Sequence, residues 1–156
     1  AGKGKVPIVK KEIGMEDNVI LRVATKILTP YILLFALYVQ FHGDYGPGGG
    51  FQAGVIFASA FVLYTLIYGL ETAKLVLPLR VASLCGALGV LTYAGVGVAT
   101  MIMGGEFLNY NYLNSHDPEH GQHLGILLVE LGVLITVFGV MVVIFYSFAG
   151  RRGAKE

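Results

Sequence analysis

Four apolar stretches, residues 19–41, 51–70, 79–104 and 124–148, dominate the chain. Each is long enough to cross a bilayer core of roughly 30 Å, which takes about 20 helical residues. A membrane interior leaves no water for backbone groups, so stretches of this length are held as helices. The expected fold class is therefore an all-α integral membrane protein of four transmembrane helices. Only 13% of the 156 residues are charged, too few for a soluble domain of this size. Residues 1–18 are polar and lysine-bearing, which does not read as a cleaved signal and fits an interfacial tail. The membrane domain covers 19–150, and residues 151–156 form a basic tail.

Charge is segregated more sharply than the net value of +1 suggests. Lys3, Lys5, Lys10, Lys11, Arg22, Lys26, Lys74, Arg80, Arg151, Arg152 and Lys155 all fall on one side of a four-span topology. The other side holds Asp44, Glu106, Asp117, Glu119 and all four histidines. By the positive-inside rule both termini are expected in the cytoplasm. The near-neutral balance gives no reason to expect nucleic-acid binding. Cys85 is alone, which excludes an intrachain disulfide and a CxxC motif.

Asn18 stands where a cap for the first span is needed, and Thr29-Pro30 predicts a bend within it. The connection at residues 71–78 is short enough to predict an antiparallel hairpin of spans 2 and 3, packed side by side. Asp117-Pro118-Glu119 reads as N-cap, first-turn proline and first-turn acid, so the fourth helix is expected to start near Pro118, ahead of its apolar part. Gly125, Gly132 and Gly139 recur every seven residues as a smooth seam. Glu130 points about 140° away from Gly125, so this helix is expected to use two faces.

Glu130 is the residue most open to chemistry, because a carboxylate in an apolar helix costs several kcal/mol unless paired, hydrated or protonated. It reads either as a proton or cation relay or as an acid that fastens two helices. His123 and His120 lie seven and ten residues earlier on about the same face, which suits a proton entry route or plain exposed imidazoles. His116, His120 and His123 resemble metal-ligand spacing, but His116 precedes the helix and no further ligand is suitably spaced, so no metal is expected. Lys26 lies deep in span 1, and Arg22 is expected to snorkel to headgroups. Lys26 and Glu130 enter from opposite sides, and a salt bridge between them is not expected. Residues 42–50 carry five glycines and Pro47, a tight re-entry presenting the free amides of the second helix. Gly48, Gly50 and Ala53 fit GxGxxA, but no βαβ unit surrounds them. As physics the segment is a turn, with anion binding a minor alternative.

The string His42-Gly43, Pro47-Gly48-Gly49-Gly50-Phe51 and Gly54, with Gly121-Gln122-His123-Leu124-Gly125 and Glu130-Leu131-Gly132-Val133, resembles the MnhB/MrpB-like family of subunits of the multisubunit Mrp-type sodium/proton antiporters. The resemblance runs from about residue 20 to 150. It implies an accessory four-helix subunit in a prokaryotic plasma membrane, beside larger antiporter subunits, with Na+ and H+ as the transported ions. It implies no cofactor and no catalytic motif of the chain's own. Related subunits occur in membrane-bound hydrogenase-type complexes, so a redox-driven machine is a second context. A purely structural scaffold is a third.

Overall fold

The computed structural model describes residues 18–43, 46–114 and 117–152. The expected tails over residues 1–17 and 153–156, with Asp44 and His116, lie outside these. Four long helices carry the fold: α1 (Val19–His42), α2 (Gly50–Tyr68), α4 (Leu79–Ile102) and α5 (Pro118–Arg152). A seven-residue helix, α3 (Leu70–Val76), joins α2 to α4, and a 3-10 turn (Tyr110–Leu113) precedes α5. Among the described residues, four helices are long and apolar enough to cross a membrane. The ends behave as the local chemistry requires. The Asn18 side chain accepts from the amides of Ile20 and Leu21 at 3.1 and 3.4 Å, occupying donors a helix start leaves open. Helix α1 continues through Pro30 as one element.

The helices form a row, α1 on α2, α2 on α5 and α5 on α4. The expected side-by-side hairpin of the second and third spans is thus corrected: α5 stands between them. The reason is the connection. It is not a bare turn but α3, about 10 Å long at 1.5 Å per residue, whose Ala73 and following Leu77 are buried against Phe138, Val142 and Tyr146 of α5. The chain passes beneath the end of α5 and rises on its far side.

Both α5 interfaces depend on missing side chains. Toward α4, a Cβ on Gly139 would stand 2.5 Å from the Ala82 carbonyl oxygen and 2.6 Å from the Gly86 nitrogen, and one on Gly132 2.9 Å from the Gly89 oxygen. Two glycines of the seam read from the sequence, Gly132 and Gly139, therefore lie on α4, while Gly125 meets Tyr110. Toward α2 the roles reverse: Gly54 of α2 leaves only 2.8 Å between its Cβ position and both the Leu134 oxygen and Val137, and Phe57 and Phe61 pack on the Phe138 ring. Such close backbone approach replaces the hydrophobic drive that lipid does not supply. Gly95 of α4 shows the contrast, since a Cβ there meets nothing within 4 Å. Gly95→Ala is expected to raise the thermal stability of the detergent-solubilised protein, by the roughly 0.5–1 kcal/mol that alanine gains over glycine in a helix.

Candidate functional site: a carboxylate clasped by a glycine turn

The end of α1 turns sharply into α2. The Gly49 amide donates to the Val39 carbonyl at 3.2 Å and the Gly46 amide to that of His42 at 3.0 Å. Gly49 takes φ +111°, a conformation that L side chains rarely adopt. It is also the N-cap of α2 and provides no side-chain cap. Gly49 itself thus offers the first amides of α2 no side-chain cap, and these amides mark the positive end of the helix dipole.

What stands against this turn is Glu130. A Cβ built on Gly43 would be 3.0 Å from each carboxylate oxygen, and one on Gly49 would be 3.0 Å from Oε1. A Cβ on Gly50 would collide with the Glu130 carbonyl oxygen, so the start of α2 lies directly on the α5 backbone. Gln40, on the last turns of α1, donates from Nε2 to Glu130 Oε2 at 3.4 Å and is 1% exposed. Three segments, α1, the turn and α5, thus converge on one half-buried carboxylate. The turn and the acid, two separate features of the sequence, are one site.

The turn has two sides. Gly49 and Gly50 are buried toward Glu130, Gly48 is half-buried, and Pro47 and Phe51 are exposed. Gln40 is the site residue that sequence reasoning missed, because a glutamine near a span end looks like an ordinary polar terminus. A signal was present: Ala36, Gln40 and Gly43 share a face at i, i+4 and i+7, and the first two are the buried positions of that half of α1.

The remaining candidates lie apart. Level with Glu130, Gln40 is fourteen residues along α1 from Lys26, about 21 Å at 1.5 Å per residue. The two therefore lie near opposite ends of α1, in keeping with the expectation of no salt bridge between Lys26 and Glu130. Lys26 is exposed. The Arg22 guanidinium lies over the Tyr68 ring, 5.1 Å from its centroid, while the Tyr68 hydroxyl donates to the Arg22 carbonyl at 2.9 Å. His123 is exposed, about 10 Å up α5 from Glu130. His120, exposed and about 15 Å away, contacts Asp117 through Nδ1 at 3.2 Å. The glycines of the 121–125 motif serve the loop: a Cβ on Gly121 would be 2.7 Å from the Tyr110 carbonyl, one on Gly125 would enter the Tyr110 ring, and Gln122 donates to Asn111 at 2.8 Å. Burial there pushes the Tyr110 phenol above its usual value, with Tyr93 adding to it.

Asp117 caps α5, with Oδ1 accepting from the His120 amide at 3.2 Å. That bond, first among several causes, holds its carboxyl below the usual carboxylate value. A depressed pKa means stabilisation that is present above the ordinary range and is lost as pH falls through the lowered value. Hydrogen-exchange protection of the His120 amide, corrected for intrinsic rates, should hold down through the ordinary range and fall only below it. In Asp117→Ala it should be weak at every pH.

Four membrane-length helices with one carboxylate set among backbone define an integral membrane protein of the multi-pass class. The chain belongs to the family described as the domain related to the MnhB subunit of Na+/H+ antiporter, matched over residues 20–143. It is 38% identical over 96 residues to the B subunit of the Na(+)/H(+) antiporter of Bacillus subtilis (strain 168), a match covering 62% of this chain and 66% of that protein. It is 43% identical over 75 residues to a protein named as antiporter subunit mnhB2 in Staphylococcus aureus (strain Newman), covering 47% and 53%. The matches therefore span between about half and just under two thirds of these relatives' own lengths.

Proposed function

We propose that the chain is an accessory membrane subunit of a multisubunit Na+/H+ antiporter complex and that Glu130 lies in its ion path. The observation that carries this is the carboxylate set against Gly43, Gly49 and Gly50 at one end of the bundle, in a chain of this family. A carboxylate held against backbone can carry a proton or balance a cation without the large conformational change that a long flexible side chain would need. With one deep acid and row-like packing, the chain supplies one station of a path. Other subunits supply the rest. The distribution of basic residues favours a cytoplasmic position for the opposite end of the bundle and both termini. The Glu130 site then opens toward the outer side, with His123 and His120 on the approach. Pro47 and Phe51, exposed on the far side of the turn from Glu130, and the exposed apolar length of α1 are the surfaces for neighbouring subunits. The chain has no catalytic role of its own in this reading.

Replacing Glu130 by Gln keeps shape and hydrogen-bonding capacity but removes the charge. In everted vesicles, Na+-driven proton movement per assembled complex should fall on the order of tenfold, about 1.4 kcal/mol of barrier. Unchanged antiport at normal complex abundance would take Glu130 out of the path. The Gln40–Glu130 bond favours a second reading, an acid that fastens α1 to α5. That scaffold role predicts lower complex abundance with activity per complex unchanged.

A further inference from the structure

The end of the bundle away from Glu130 carries a different kind of site. Val19, Arg22, Val23 and Lys26, in the first turns of α1, line one cleft of about 190 Å³, where two valines one turn apart run beside two cations one turn apart. Side chains of a helix lean toward its N-terminus. Lys26 starts about 6 Å deeper in the span than Arg22, and this lean directs both charges to the same end. Arg22 is fixed in place: its guanidinium stands over the Tyr68 ring, 5.1 Å from the centroid, and the Tyr68 hydroxyl donates to the Arg22 carbonyl. Both side chains are exposed, and among the described residues neither is in an ion pair or a side-chain hydrogen bond. Lys74, at the same end, is paired with Glu71 at 2.8 Å. Asn18 already occupies the first amides of α1, so the positive charge on offer is that of the two side chains.

We infer that Arg22 and Lys26 bind the phosphate of an anionic phospholipid, with the apolar part of the lipid against Val19 and Val23. The ligand class follows from chemistry and depth. A guanidinium offers phosphate a planar fork of donors, and an ammonium adds a point charge. Helix α1 has 24 residues, about 36 Å at 1.5 Å per residue, which exceeds a hydrocarbon core of roughly 30 Å. Its first turns therefore reach the headgroup layer. Two positive charges favour a headgroup of net negative charge over a zwitterionic one, whose own ammonium they repel. The valines hold a lipid and give a free phosphate ion nothing beyond the two cations. Lys26, an ion-path candidate by its place in the sequence, becomes a lipid ligand.

The inference needs only that α1 spans a membrane and does not rest on the antiporter reading. The test places the purified complex in phosphatidylcholine vesicles with a trace of photoactivatable phosphatidylglycerol and maps the crosslinked residues by mass spectrometry. Label should fall on residues 19–26, drop about fivefold in Lys26→Gln, drop further when Arg22→Gln is added, and persist in Lys26→Arg. Arg80→Gln should leave it unchanged. That exposed cation is on α4, three helix spacings along the row and about 27 Å away, well beyond a screening length of roughly 8 Å. A loss in Arg80→Gln equal to that in Lys26→Gln would overturn the site, as general surface attraction. Equal labelling by a photoactivatable phosphatidylcholine, or displacement of the label by inorganic phosphate, overturns it too. So does an absence of label on this stretch, the result expected if an acidic segment of a neighbouring subunit covers the two cations.

Discussion

Replacing Gly50 by valine is expected to abolish accumulation of the subunit in membranes. The Cβ of any residue at this position would enter the carbonyl oxygen of Glu130, and neither backbone can give way without moving a whole helix. Overpacking of ordinary cores costs about 1–3 kcal/mol because side chains can shift; here only backbones meet, so the cost should exceed that range. Membrane domains with a few kcal/mol of stability do not tolerate such a loss. Gly49→Ala should be milder: its φ of +111° is strained for alanine, and the new methyl would press on Glu130 Oε1 at 3.0 Å, but a carboxylate can turn. Immunoblot abundance and thermal unfolding in detergent should therefore rank wild type above Gly49→Ala and Gly49→Ala above Gly50→Val.

The second large effect is expected at Gly139. A leucine there would drive its Cβ to 2.5 Å from the Ala82 oxygen and 2.6 Å from the Gly86 nitrogen, forcing α4 off α5. More than about 3 kcal/mol is again expected, with separation of α4 from the row. Unlike Gly50→Val, this change lies away from the Glu130 end. Under the proposed function, any Gly139→Leu complex that does assemble should keep its Na+-driven proton movement per complex while losing heat stability. Crosslinking between cysteines placed on the outward faces of α4 and α5 reports the separation directly.

Hydropathy located all four long helices, and Asp117-Pro118 located the start of α5, because both signals are local. The glycine heptad of α5 was legible for the same reason: small residues at one spacing mark one face. The partner of that face was not. Small residues line α2 (Gly50, Gly54, Ala58) as well as α4 (Ala82, Gly86, Gly89), and either could have received it. The choice was made by α3 and the residue after it, where the apolar Leu70, Ala73 and Leu77 read as part of a plain hairpin. The clasp around Glu130 was hidden by distance along the chain, since Gln40 and Glu130 are separated by 90 residues. Each half looked complete alone: a glycine turn needs no acid, and an intramembrane acid has many ways to be satisfied.

The position of α5 also dictates an order of events during synthesis. Helices α1, α2, α3 and α4 all leave the ribosome before the helix that joins them, so the growing chain enters the bilayer with an empty slot between α2 and α4. Until α5 arrives, the bare backbone at Gly54, Gly86 and Gly89 faces lipid, and the turn at Gly49 has no acid beneath it. Of the four long helices described, the one made latest is the keystone. Truncation within α5 should therefore leave the α1–α2 pair and a lone α4, tethered through α3 but not packed together, rather than a smaller bundle.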